Sequence, residues 1–180
     1  MLAPRAVFDQ DQEQYRDLVR KVIAREIDVD NNECAHIAAK GAWRKVGEAG
    51  MLCATVPKAY GGPRLDFCYD AVVNEEVAYA GSSAGFTLHS DIVTDDLVAY
   101  GSEEQKRAYL PQMVSGELIT AIAMTEPGTG SDLQAIRTTA IRAGNHYVVN
   151  GSKTFIAMAR TPTDHRDRED RPDARCQGRH

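Results

Sequence analysis

Up to residue 117 the apolar positions recur at helical spacing, and from Leu118 onward they do not. Tyr15, Leu18, Val19, Val22, Ile23 and Ile27 fall at i, i+3, i+4, i+7, i+8 and i+12, which predicts one apolar face on a helix over residues 9–28. Asp9, with Gln12 three residues on, has the form of a capping box. A second helix is expected over 34–49, with Ile37, Trp43 and Val46 as core positions and Gly50 as its stop. Met51 to Pro57 reads as an apolar connector, and Tyr60-Gly61-Gly62-Pro63 as a turn. Asp66 is placed to cap a third helix running to about Ala80, and Gly81-Ser82-Ser83 breaks it. Residues 84–100 carry Phe86, Leu88, Ile92, Val93, Leu97 and Val98 on more than one side, the mark of a helix surrounded by others. Ser102-Glu103-Glu104-Gln105 opens a last helix through Met113, which Pro111 shortens or kinks.

Beyond it the signals are those of strands. Leu118 to Met124, residues 135–143, His146 to Val149 and Thr154 to Ala157 are short strand-like runs. Gly144-Asn145 and Asn150-Gly151 stand between the later ones as hairpin turns. The pattern predicts an α+β chain, a helical bundle followed by the first strands of a small antiparallel sheet or barrel. Residues 160–180 differ in kind, with six arginines, five acids, two prolines and almost nothing apolar. Such a segment buries too little surface to offset its ordering entropy, so it is expected to be disordered.

Composition narrows the functional classes. A hydrophobic fraction of 43% with 26% charged residues is that of an ordinary globular chain. A net charge of -5 argues against nucleic acid or an anionic membrane as the main partner. No apolar run approaches the roughly 20 residues of a membrane span, and the first residues lack the apolar core of a signal peptide, so a cytoplasmic location is expected. The four cysteines, Cys34, Cys53, Cys68 and Cys176, form no CxxC pair and read as reduced thiols.

Chemistry concentrates in residues 121–132, AIAMTEPGTGSD, where an apolar run enters a glycine turn rich in hydroxyls and backbone N–H groups. The turn fits neither a Walker loop nor the Gly-x-Gly-x-x-Gly dinucleotide fingerprint, and composition alone leaves open a plain tight connection. Elsewhere the simpler explanations prevail. His89 on an apolar helix reads as a core histidine, and His36 and His146 lack a second ligand at metal spacing. Glu75-Glu76 and Asp95-Asp96 point to different sides of their helices and read as solvated or capping charges.

Ala123 to Ala135, AMTEPGTGSDLQA, resembles the flavin-binding signature of the acyl-CoA dehydrogenases. The order of other segments agrees: Trp43 to Leu52, Val56-Pro57, Tyr60-Gly61-Gly62, Gly101 to Lys106, and Asn150-Gly151-Ser152-Lys153-Thr154-Phe155-Ile156. The resemblance runs from residue 8 to about 157, and Leu88 to Val93 with Thr125 to Gln134 look most like the long-chain members. It implies an N-terminal helical domain over 1–117, a partial middle β-domain with the flavin motif over 118–159, and a tail over 160–180. It also implies FAD as cofactor, a fatty acyl-CoA thioester as substrate in α,β-dehydrogenation, an electron-transfer flavoprotein as partner and a homotetramer in the family.

By resemblance, the backbone of Ile122, Ala123 and Met124 lines the flavin, and the Thr125 hydroxyl bonds the isoalloxazine edge. The backbone of Gly128 to Gly130 allows close approach and offers its N–H groups as donors, and Ser131 touches both acyl-CoA and cofactor. Phe155, Ile156 and Ala157 pack behind the ring, although Ala157 lacks the family's hydroxyl and Met158-Ala159 replaces the usual Asn-Gly. The family's catalytic glutamate belongs to a C-terminal helical domain, so no residue here is assigned as catalytic. Glu126 is expected to brace the loop rather than act as the base. The tail has the composition of an out-of-frame read, which suggests a frameshift or early stop shortly after Ile156. The alternatives are therefore a silent remnant or a helical partner-binding module.

Overall fold

The computed structural model describes residues 7–27, 40–82, 84–156 and 158. Ile37, Cys34, His36, Ala157, Cys176 and the 160–180 segment lie outside them, as do the expectations made for them. Five α-helices come first: α1 (Gln10–Glu26), α2 (Lys40–Glu48), α3 (Phe67–Tyr79), α4 (Thr94–Tyr100) and α5 (Glu103–Val114). A single antiparallel hairpin follows, β1 (Thr139–Ala143) and β2 (His146–Asn150).

Local chemistry sets the helix ends. The Asp9 carboxylate accepts from the Gln12 N–H at 2.8 Å while the Gln12 side chain accepts from the Asp9 N–H at 3.0 Å. Ser102 and Gln105 repeat that reciprocal cap at the start of α5. α2 stops where Gly50 takes φ +71° and the Met51 N–H reaches back to the Val46 carbonyl at 3.1 Å. A residue with a Cβ is disfavoured in that left-handed turn. Pro111 lies within α5, which runs only three residues past it.

The core is formed by α1, α2, α3, α5 and the connector that follows α2. Val19, Trp43, Val46, Val56, Val72 and Leu110 are wholly buried. Trp43 meets the Phe86 ring edge-to-face at 4.6 Å and the His89 ring at 5.1 Å. Met51 to Ala54 are also buried, although they form no regular element, so their backbone groups need partners from elsewhere. Ser90 Oγ accepts from the Cys53 N–H, an Asp70 carboxylate oxygen accepts from the Ala54 N–H, and the Ala54 carbonyl accepts from the Leu65 N–H. Burial pushes the Cys53 thiol up to about 12, leaving it unreactive.

Several expectations change. The helix over 84–100 includes a π-helical turn, Leu88–Val93, before α4, with the Thr94 N–H bonded to the His89 carbonyl. Its face is less buried than the spread of apolar residues suggests, since Ile92 is exposed. Leu18 of α1 is likewise exposed. Leu118 to Met124 is not a strand, because no neighbouring strand lies beside it among the described residues. In 135–143 only Thr139–Ala143 pairs, after a 3-10 turn at Leu133–Ala135, and Thr154 to Ile156 forms no strand, contributing one bond from the Thr154 N–H to the Thr125 carbonyl. The hairpin forms as expected around Gly144-Asn145, with Ala143 opposite His146 and Thr139 opposite Asn150.

Glu76 overturns the reading of Glu75-Glu76 as solvated charges. It is buried, with Arg16 at 2.9 Å and Arg20 at 2.7 Å, and these pairs join α1 to α3. No helix among the described residues is long and apolar enough to cross a membrane.

Candidate functional site

The strip Ala121–Thr125 leaves the helical region at a fixed point. His89 is buried beneath it, with Nε2 3.0 Å from the Met113 carbonyl and Nδ1 3.0 Å from Thr120 Oγ1. A carbonyl only accepts, so Nε2 carries the proton and Nδ1 accepts from Thr120. Burial lowers the pKa of His89, which keeps it neutral and suited to that role. The expectation of a core histidine is met, and its ring ties Thr120 to α5.

At its far end the strip is held by Glu126. This side chain is buried and accepts from four donors: the Arg137 N–H at 2.8 Å, the Thr138 N–H at 3.0 Å, the Thr138 hydroxyl, and Lys153 Nζ at 2.9 Å. Those donors, Thr138 first, hold its carboxyl down at about 2. A carboxylate so stabilised is a poor proton acceptor near neutral pH, which agrees with a bracing role. Its backbone pairs with Thr129 in both directions at 3.0 Å and closes the glycine turn. Gly151 permits the close approach of the hairpin, since a Cβ there would lie 2.1 Å from Thr138 Oγ1.

Between these anchors the strip is open. Ala121, Ala123 and Met124 are exposed, and Ile122 and Thr125 half-buried. Among the described residues, none of the backbone N–H groups from Ala121 to Thr125 has a partner. The carbonyls of Met124 and Thr125 are taken, by Lys153 Nζ at 3.1 Å and by the Thr154 N–H at 2.9 Å. Unpaired donors beside exposed apolar side chains suit a flat, hydrogen-bonding ligand.

Thr125 is brought beside Thr154 and hence the Phe155-Ile156 segment. Phe155 itself is 94% exposed with φ +55° and packs behind nothing in the described residues. Gly130 and Ser131 lie exposed beyond the bridged turn. Gly128 and Gly130 have open space where a Cβ would stand. A cavity of about 240 Å³ lies between the turn and the hairpin, lined by Pro127, Gly128, Arg137, Thr138 and Ser152 among others. Of the residues expected near the cofactor it holds only Gly128 and Thr129 of the glycine turn. A larger one of about 590 Å³ lies between α1 and α3 against the Arg16–Glu76 network. No group of three potential metal ligands occurs among the described residues. Sequence reasoning missed Lys153, whose role depends on Glu126 across a turn; its only signal was a lone cation in a polar run.

The acyl-CoA dehydrogenase N-terminal domain profile matches residues 9–117, and the middle-domain profile matches 121–165. The chain belongs to the acyl-CoA dehydrogenase family. It is 41% identical to the mitochondrial long-chain specific acyl-CoA dehydrogenase of Mus musculus over 155 residues, covering 84% of this chain and 36% of that protein. A probable acyl-CoA dehydrogenase of Bacillus subtilis is 44% identical over 132 residues, covering 72% of this chain and 22% of that one. Among solved structures, an acyl-CoA dehydrogenase from Geobacillus kaustophilus superposes with a TM-score of 0.79 at 48% identity, covering 84% of this chain and 40% of that one. One from Bacillus anthracis, complexed with FAD, gives 0.75 at 33% identity, covering 84% and 27%. The chain thus spans 36% of the mouse relative and 40% of the Geobacillus family member.

Proposed function

We propose that this chain supplies the flavin-binding half of an acyl-CoA dehydrogenase site, with residues 1–117 as the helical domain and 118–159 as part of the middle domain. The observation that carries the reading is the strip Ala121–Thr125, whose N–H groups have no partner among the described residues and lie beside exposed apolar side chains. FAD, which the Bacillus anthracis relative holds, fits this donor set. Its isoalloxazine ring accepts hydrogen-bond donors along one edge and apolar contact on its faces.

Ile122, Ala123, Met124 and Thr125 hold the flavin, with the Thr125 hydroxyl at its edge. Gly130 and Ser131 lie toward the rest of the cofactor and the acyl-CoA thioester, and Phe155, Ile156 and Ala157 complete the flavin wall on folding around it. When bound, the flavin supplies the hydride acceptor for α,β-dehydrogenation of an acyl-CoA. The chain's own residues orient the ring and shield it from water on one side. Glu126 is ill suited to be the α-proton base, because four donors occupy its carboxylate and hold its carboxyl down at about 2. Likeness to long-chain relatives supports a long acyl chain, and an electron-transfer flavoprotein is the proposed acceptor.

The test is to titrate the purified 180-residue chain with FAD and record the flavin absorption band, then repeat with Thr125→Val. The expected result is saturable binding with a structured band, weakened about tenfold in the variant, the order of one charge-assisted or well-placed hydrogen bond. An unperturbed spectrum of free FAD at every ratio would sink the reading.

A further inference from the structure

Lys153 makes two contacts at once. Its ammonium is 2.9 Å from Glu126 Oε1 and 3.1 Å from the Met124 carbonyl oxygen. Bracing Glu126 does not require it, because the carboxylate already accepts from the Arg137 N–H, the Thr138 N–H and the Thr138 hydroxyl. What Lys153 adds is the contact to the strip. Its side chain is only 22% exposed, so a long flexible cation gives up rotamer freedom to sit there.

The geometry of the peptide bond gives that contact a direction. In a trans peptide the carbonyl oxygen of one residue and the N–H of the next point to opposite sides. None of the peptide bonds among the described residues is cis. With the Met124 oxygen drawn toward Lys153, the Thr125 N–H points away from it, and that N–H has no partner among the described residues. A cation on the carbonyl also polarises the amide and strengthens its N–H as a donor. The Thr154 N–H fixes the next carbonyl, that of Thr125, so the unit cannot turn freely.

We infer that Lys153 is a positioning residue: held by Glu126, it aims and polarises the Thr125 N–H toward an electron-rich acceptor on the ligand. On the flavin reading above, on which this rests, that acceptor is the edge of the isoalloxazine ring, where negative charge accumulates on reduction. Lys153 touches neither cofactor nor substrate. It acts through one peptide bond.

The test compares the full chain with Lys153→Met and Lys153→Arg. Three quantities are read: FAD affinity by absorbance, the midpoint potential of the bound flavin, and, without FAD, exchange of the Thr154 amide, which donates to the Thr125 carbonyl. Lys153→Met is expected to weaken FAD about tenfold, make the potential more negative and speed the Thr154 amide, while Lys153→Arg restores most of each. A Lys153→Met chain that binds FAD more weakly but at an unchanged potential overturns the inference, since a loosened loop would explain the affinity alone. So does unchanged affinity with unchanged potential. If the unaltered chain takes up no FAD, the flavin reading fails by itself. The positioning role then rests on the Thr154 amide: faster exchange in Lys153→Met supports it, and unchanged exchange overturns it.

Discussion

The helical region and the glycine-turn region are held together by different physics. In the first, Trp43, Val46, Val56, Val72 and Leu110 lose all contact with water, and stability is spread over many apolar contacts. In the second, every position of β2 is exposed, as are all positions of β1 but Ala143, and Ile141, Tyr147 and Val149 are bare. What fixes that region is one carboxylate with four donors. A core tolerates the loss of one contact at graded cost, whereas a hub loses its geometry all at once. The backbone proposed to face a ligand is carried by the hub, where it stays open without being loose.

The comparison can be broken most strongly from the core side. Trp43→Ala is expected to destabilise the helical region by about 3–5 kcal/mol, the usual cost of emptying so large a buried site. Circular dichroism in urea would show it, and a midpoint close to the unaltered chain's would refute the placement of Trp43 at the centre. Glu76→Gln should cost about 1–3 kcal/mol in the same measurement, because the Arg16 guanidinium loses its buried counter-charge and keeps only the more exposed Glu13 and Glu75.

A smaller effect depends on pH. Burial, then the nearby Asp91, raises the Asp70 carboxyl to about 7, with Asp95 adding in the same sense and the Ala54 N–H opposing. The folded chain therefore holds a proton there that the unfolded chain releases near pH 4, so stability falls as pH rises from about 4 to 7. Asp70→Asn keeps an oxygen for the Ala54 N–H and removes the charge. It is expected to gain about 1–2 kcal/mol at pH 8 and almost nothing at pH 4, a gain that must shrink on acidification. Glu126→Gln sharpens the contrast with the smallest global change. The thermal midpoint of the helices should stay in place while the Arg137 and Thr138 amides exchange about tenfold faster. A large fall in that midpoint would mean that the two regions share one source of stability.

What was legible in the sequence follows the range of each interaction. The caps at Asp9 and Ser102 were readable because donor and acceptor are three residues apart. The hairpin register followed from a two-residue turn. Glu76 was misread because its partner Arg16 lies 60 residues earlier and nothing local marks the pair. Leu118 to Met124 was misread for another reason: a strand exists only beside a partner, and its apolar pattern cannot say whether one is present. The signature around Thr125 was legible as a family resemblance, but the ammonium behind its peptide was not. A Lys in a polar run looks like any surface cation.

Trp43 is the sequence's only tryptophan, and it sits against Phe86 and His89 inside the helical region, with its indole Nε1 buried and unbonded among the described residues. Its emission is therefore a private optical record of that region, blue and with resolved vibronic structure where no water or hydrogen bond reaches the ring. The hairpin, with no indole of its own, is dark in that channel. Burial favours the neutral form of the His89 ring beside it, which disfavours quenching by an imidazolium. Energy passing from this single donor to a bound yellow acceptor would then be read against a steady background.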